Sequence, residues 1–253
     1  MNKISGLIIC RDEEMNIEEC IKSIQWCDEI IVIDSFSKDR TLEIVNKFTD
    51  KVFQNEWNGF SKQRKFALSK VNSEWIFSLD ADERCTEELA LEIRSVLDKN
   101  DSAINGYLIP RKSFFLGKWI QHCGWYPDHQ MRLFKSHKVT VSERLVHEGY
   151  NVTGETPKLK SDILHYTVRS VTEFAEKINH YSTLSAIEKS DGKKISMSYL
   201  FFKPFFEFKK KFFLQQGFRD GIYGLMVSFF HMITKILTYM KMIEIQNKKD
   251  NGK

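Results

Sequence analysis

The chain has little cysteine, and no two of its cysteines are close enough in sequence to act together. The five, Cys10, Cys20, Cys27, Cys85 and Cys123, are odd in number, widely spaced and contain no C-x-x-C. This excludes a disulfide framework and a cysteine zinc site, and it fits a reducing compartment. No G-x-G-x-x-G follows the first apolar run, which removes a dinucleotide-binding reading. Low-complexity runs are absent and 28% of residues are charged, so the chain is not of the disordered class. The opening, Met1-Asn2-Lys3-Ile4, enters a strand pattern with no secretory signal, and a cytoplasmic location is expected. An excess of basic charge is missing from most of the chain. Residues 1–199 hold 28 basic and 30 acidic side chains, whereas residues 200–253 hold 10 and 4. Basic charge confined to a Phe-rich tail argues against nucleic acid as a partner and suits an anionic membrane surface.

What is present is a core-forming chain of 253 residues with 42% hydrophobic content, enough for one large domain and an appendage. The first hundred residues alternate strand and helix signals. Ile4–Cys10, Glu29–Asp34, Lys51–Phe53 and Trp75–Asp80 read as strands. Between them lie helical patterns, with Asn16, then Ser37 or Asp39, then Thr86 as N-caps. The β-α-β-α order implies an α/β fold with a mostly parallel sheet flanked by helices. Beyond Asn100 the pattern changes to strands at Gly106–Pro110 and Met131–Phe134. Between these is an aromatic, glycine-containing stretch with Trp119, Trp125 and Tyr126. The division expected is 1–165 as the α/β domain and 166–253 as a helical, basic, Phe-rich extension.

Two apolar strands end abruptly in acids, at Asp34 and at Asp80-Ala81-Asp82. Open α/β sheets bind ligands beyond the carboxyl ends of their strands. With Arg11-Asp12-Glu13-Glu14 after the first strand, four acidic sites share one sheet edge and would repel one another without a cation. A hard ion such as Mg²⁺ or Mn²⁺, held by one or two carboxylates together with phosphate oxygens, matches that arrangement. The same acids read equally as turn formers and helix caps.

Four segments carry a resemblance. Leu7-Ile8-Ile9-Cys10-Arg11-Asp12-Glu13-Glu14-Met15-Asn16-Ile17, Ile31-Val32-Ile33-Asp34-Ser35-Phe36-Ser37-Lys38-Asp39-Arg40-Thr41, Lys62-Gln63-Arg64-Lys65-Phe66-Ala67-Leu68 and Leu79-Asp80-Ala81-Asp82-Glu83 follow in the order and spacing of family 2 glycosyltransferases. The resemblance implies the GT-A nucleotide-diphospho-sugar transferase fold. It also implies a donor site of Cys10, Arg11, Glu13, Asp34, Lys62, Arg64, Asp80 and Ala81. In it Asp34 contacts the nucleoside, Asp80 lies near the nucleotide sugar, Arg64 sits near the nucleotide, and Asp82 coordinates the metal that bridges the diphosphate. Gly124–Phe134, Val146-His147-Glu148 and Gly217-Phe218-Arg219-Asp220-Gly221 resemble a narrower branch, the lipopolysaccharide core β-1,4-glucosyltransferase type. That branch implies UDP-glucose as donor and a lipid-linked saccharide acceptor at the cytoplasmic face of the inner membrane. An inverting transfer needs one base for the acceptor hydroxyl. Asp128 and Glu148 are the two candidates, and Glu148 with His147 reads equally as a polar pair closing a loop. His147 is either a metal or phosphate contact or structural. Arg132 serves either phosphate or a salt bridge to Asp128 or the acid cluster. Trp125 and Tyr126 either stack on sugars or pack in a core.

Half of the twenty Phe residues lie between Phe201 and Phe230. From Ile222 to Ile243 an apolar face (Ile222, Leu225, Met226, Phe229, Phe230, Ile233, Ile236, Leu237, Met240) opposes a polar one (Ser228, His231, Lys235, Thr238, Lys241). This is an amphipathic helix whose apolar face meets either a membrane interface or the catalytic domain. Two other functions fit parts of the pattern: a receiver-type signalling domain, about half this length, and a non-catalytic membrane adaptor that uses the basic tail.

Overall fold

The computed structural model describes residues 3–142, 149–190 and 195–251. In chain order the elements are β1 (Ile4–Cys10), α1 (Ile17–Ser23), β2 (Glu29–Asp34), α2 (Thr41–Val45), β3 (Val52–Gln54), α3 (Phe60–Leu68), β4 (Trp75–Asp80), β5 (Glu83–Cys85) and α4 (Glu87–Asp98). There follow β6 (Gly106–Phe115), β7 (Lys118–Trp119), β8 (Asp128–Lys135), β9 (Val139–Val141), β10 (Tyr150–Val152), β11 (Ile163–Val168), α5 (Val171–Lys189), α6 (Met197–Lys209) and α7 (Gly221–Asn251). They form two compact units. One comprises 3–112, 128–142 and 149–166, and the other comprises 113–127 and the chain from 167 onward. The aromatic stretch 113–127, expected in the first domain, therefore clusters with the C-terminal helices.

The first unit is built on a mixed sheet of order β3-β2-β1-β4-β8-β6-β11-β5. Pairing is parallel from β3 to β4, and antiparallel for β4 with β8, β8 with β6, and β11 with β5. Strands β1, β2 and β4 are mostly apolar because both of their faces are covered. Ile8, Val32, Phe77 and Leu79 pack with Cys20 and Ile21 of α1 and Leu89 and Ile93 of α4. Leu7, Ile31, Ile33 and Ile76 pack on the other side with Ala67 of α3, Phe134 of β8 and Tyr150 of β10. Thr86 caps α4 as expected, accepting from the Leu89 N–H. Asn16 does not cap α1: its side-chain amide donates to Glu13 instead.

In the second unit α7 packs against α5 and α6, and its core gathers Phe115, Ile120, Cys123, Val168 and Val227. The Gly217–Gly221 segment earns its glycines and its acid. Gly221 has φ +63°, and a Cβ on Gly224 would lie 1.8 Å from the Gly217 carbonyl oxygen. Asp220 is buried and accepts from the His122 N–H at 2.8 Å, beside the His122 ring. The polar side of α7 is not simply the side that meets water. Ser228 and Thr238 are buried, and Lys241 donates to Asn179, Ser182 and Thr183 of α5, while Ile222, Leu225, Phe229 and Met240 are exposed. The period of the helix is legible in the sequence, but the side turned inward is mixed: Val227 and Met242 are buried, Met226 and Phe230 pack on the core, and α5 and Trp125 supply hydrogen-bond partners for Lys241 and His231.

Trp125 donates its indole N–H to His231 Nε2 at 3.1 Å, so that nitrogen is an acceptor in the fold. Burial, with Lys211 and Lys235 nearby, holds the His231 pKa down to about 3. A depressed imidazole pKa gives stability that is present above the unfolded value, near 6.5, and lost as pH falls below it. Thermal and urea unfolding from pH 7 to pH 4 should show wild type losing up to about 1.4 kcal/mol per pH unit more than His231→Gln. Parallel pH profiles for the two proteins would contradict this assignment.

Candidate functional site

The β1–β2 and β1–β4 registers place the strand-end acids. Cys10 is level with Asp34 and Ile9 with Asp80, so both acids leave the sheet at one edge. The loops after β1 and β2 are locked together there. Asp12 accepts from the Lys38 N–H at 2.7 Å, Glu14 from the Arg40 N–H at 3.1 Å, and Asp39 from the Glu14 and Thr41 N–H groups at 3.0 Å. Peptide N–H donors satisfy these loop acids, as in capping turns. Asp34 is fully buried and accepts from the Ser37 N–H at 3.1 Å and from Gln54 at 3.2 Å. Cys10, also buried, has its thiol pushed well up by burial and by the Asp34 charge, so it stays protonated. Arg11 pairs with Asp12 at the surface, and Glu13 accepts from Asn16.

A second set of charges lies where β4, β5, β6 and β8 meet. Glu83 is wholly buried. Its Oε1 accepts from Arg132 at 2.7 Å and Arg111 at 3.1 Å, and its Oε2 accepts from the Asp80 N–H at 3.0 Å. Arg132 also holds the Asp80 carboxylate, and Arg111 holds Asp128 at 2.6 Å. Gln130 donates to the other Asp128 oxygen at 2.8 Å. The result is a chain of alternating charge, Asp128–Arg111–Glu83–Arg132–Asp80. Enclosure would raise the Asp80 pKa, but Arg132, Arg64 and Arg111 outweigh it and hold the carboxyl well below the usual range. Arg132 is correspondingly raised: Asp80 and Glu83 overcome its burial. Arg132 thus makes the salt bridge to the acid cluster through its Nη2. Glu83 was overlooked in the sequence, where it stood in Leu79–Glu83 without a role.

Arg64 is buried on α3 and lies over the rings of Phe60 and Tyr150, 5.5 and 5.4 Å from their centroids. Among the described residues, its Nη1 and the Nε of Arg132 are buried with no hydrogen-bond partner. Unmatched guanidinium donors of this kind are what a phosphate oxygen would satisfy. Lys62, two residues earlier, is exposed. Ala81 is buried and its carbonyl accepts from Arg84 at 2.8 Å. Asp82 turns to another neighbour, His165 of β11, with Oδ2 and Nε2 3.3 Å apart. The β5–β11 register fixes this, since His165 pairs with Glu83 and the Tyr166 N–H donates to the Asp82 carbonyl at 2.9 Å. A carboxylate and an imidazole at that spacing suit adjacent positions around one divalent cation with ligand distances of about 2.1 Å. No cluster of three or more such side chains occurs among the described residues, so substrate oxygens and water would complete the shell. His165 was not singled out in the sequence. Its only signal was a histidine on a strand that proves to pair with β5.

Trp125 and Tyr126 belong to the second unit, where Trp125 is engaged with His231 and Phe115, and Tyr126 with Trp119. Trp125 packs against the core of this unit. His147 and Glu148 lie outside the described residues.

Residues 5–150 match the family described as Glycosyl transferase family 2. The lipopolysaccharide core biosynthesis glycosyltransferase LpsC of Rhizobium meliloti (strain 1021) is 28% identical over 95% of this chain and 92% of its own. An uncharacterized glycosyltransferase of Rickettsia typhi is 27% identical over 99% of this chain and 90% of its own. The crystal structure of S. aureus TarS 1-349 in complex with UDP-GlcNAc superposes with a TM-score of 0.50 at 15% identity, covering 98% of this chain and 92% of that one. This likeness shows the GT-A fold.

Breaking a buried ion network by removing one member costs about 3–5 kcal/mol. Glu83→Gln should lower unfolding free energy in urea by about that amount. A change below about 1 kcal/mol would show that Glu83 does not organise the site.

Proposed function

The chain belongs to glycosyl transferase family 2, and from that premise we propose that it is an inverting hexosyltransferase using a UDP-sugar, with UDP-glucose as the donor. The acceptor in this reading is a lipid-linked saccharide of the lipopolysaccharide inner core, met at the cytoplasmic face of the inner membrane. The donor and acceptor rest on the Gly124–Phe134 and Gly217–Gly221 resemblances and on the likeness to LpsC. The observation that carries the catalytic part is the charge chain from Asp128 to Asp80, together with Asp82 beside His165.

The roles divide along that chain. Asp34 receives the nucleoside at the β2 end. Arg64 and Arg132 offer their unpartnered N–H groups to the donor's phosphates. Asp80, kept ionised by Arg132, faces the donor sugar or ribose. Asp82 and His165 would hold Mg²⁺ or Mn²⁺, which supplies neutralisation of the charge developing on the UDP leaving group. Asp128 takes the proton of the acceptor hydroxyl as that oxygen bonds to the anomeric carbon and the bond to the diphosphate oxygen breaks. Arg111 and Gln130 fix the Asp128 carboxylate in place for this step. Glu148 is the alternative base.

UDP release should be measured with a panel of nucleotide sugars and extracted core lipid, with and without Mn²⁺ or Mg²⁺. Asp82→Asn should abolish turnover without loss of fold, and His165→Ala should raise the Mn²⁺ concentration for half-maximal rate about tenfold or more. Near-normal turnover in Asp82→Asn would sink the metal role. For the base, Asp128→Asn should lower kcat about 10²–10⁴-fold at unchanged donor KM. An unaffected kcat would move the proton to Glu148.

A further inference from the structure

The second unit leaves its most hydrophobic side chains outside. In α6, Phe201, Phe202, Phe205 and Phe206 repeat at i, i+1, i+4 and i+5 and share one face. All four are exposed, Phe202 at 72%. The opposite side of α6 is the packed one: Pro204 is buried, and Tyr199 meets Tyr239 of α7 edge to face at 5.1 Å. The exposed set continues through Phe213, Leu214 and Phe218 into Ile222, Leu225 and Phe229 of α7. Lone exposed apolar residues need no explanation, but a contiguous run of ten along successive segments does.

The sorting of side chains on α7 belongs to the same observation: Val227, Ser228, Thr238 and Met242 are buried while large apolar side chains stay outside. A helix that turns Ser228, Thr238 and Lys241 into the protein and Ile222, Leu225 and Phe229 out of it is arranged for an apolar medium on its outer side. Cationic side chains accompany that surface. Lys209, Lys210 and Arg219 are interleaved in sequence with its apolar residues, and the Lys209 ammonium lies 4.8 Å from the centroid of the Phe205 ring. Apolar stems with charged heads of one sign are the pattern by which a helix lies in a bilayer interface, rings among the acyl chains and ammonium groups at the lipid phosphates. The ten basic and four acidic residues from 200 onward give the complementarity to an anionic leaflet.

We infer that α6, the turn after it and the start of α7 form an in-plane binding surface for an anionic lipid bilayer, with Phe201, Phe202, Phe205 and Phe206 as the inserting side chains. The helical stretch Gly217–Lys249 is long and apolar enough to cross a membrane. Lys241 is bonded to α5 and His231 to Trp125, so these two polar groups are held within the unit, and this assigns the helix to the interface instead. The inference deepens the proposed function, since a lipid-linked acceptor is presented at such a surface, but binding is read without donor or acceptor.

The full chain is sedimented with vesicles of phosphatidylcholine alone or mixed with phosphatidylglycerol. Binding is expected to the anionic vesicles, weakened at least about tenfold in Phe202→Ser/Phe206→Ser. Lys209→Gln/Lys210→Gln should weaken it about fivefold per charge on anionic vesicles only. These side chains are exposed, so the urea midpoint should not move, and alkaline carbonate should release the bound protein. Wild type remaining in solution with both vesicle types, or Phe and Lys variants that bind as wild type does, would overturn the inference. Retention through carbonate would overturn it in favour of a spanning helix. Vesicle binding without UDP-sugar turnover would leave it standing and reject the transferase reading alone.

Discussion

A carboxylate that is wholly removed from water must find its full set of partners, and Glu83 finds them in Arg111, Arg132 and the Asp80 N–H. The penalty for burying three such ions is several kcal/mol each, offset only by close and well-aligned contacts. That requirement fixes where β5, β6 and β8 stand relative to the end of β4. It also shapes the turn after β4. With Glu83 accepting from the Asp80 backbone and Ala81 buried between them, Asp80 meets Arg132 and Asp82 meets His165. The two acids of one short motif thereby acquire different electrostatic surroundings.

The acidic edge is therefore a set of sites with separate tasks. The acids after β1 and β2 hold two loops together through peptide N–H groups. The acids of β4, β5 and β8 are matched by arginines. A diphosphate entering this site would meet guanidinium donors that lack partners, so its binding satisfies groups already buried.

The sequence was most legible where a single local rule governs. β1, β2 and β4 are continuous apolar runs because parallel strands are covered on both faces, and Thr86 caps α4 because its hydroxyl needs only the N–H three residues on. Legibility ended where partners are remote. Glu83 and its arginines are separated by 28 and 49 residues, and nothing local marks an acid as a counter-ion rather than a ligand. His165 became visible only through the β5–β11 register. The face of α7 was readable from its period, but its direction was set by Asn179, Ser182 and Thr183 on another helix.

The division of the two motif acids is the point on which the donor-site reading turns. It is tested most directly by anomalous diffraction from crystals of the protein soaked with UDP and Mn²⁺. The expected result is a manganese peak contacting both Asp82 Oδ2 and His165 Nε2, with the diphosphate next to it and Asp80 still paired with Arg132. A peak bound by Asp80 in place of Asp82, or a diphosphate held away from this edge, would contradict it.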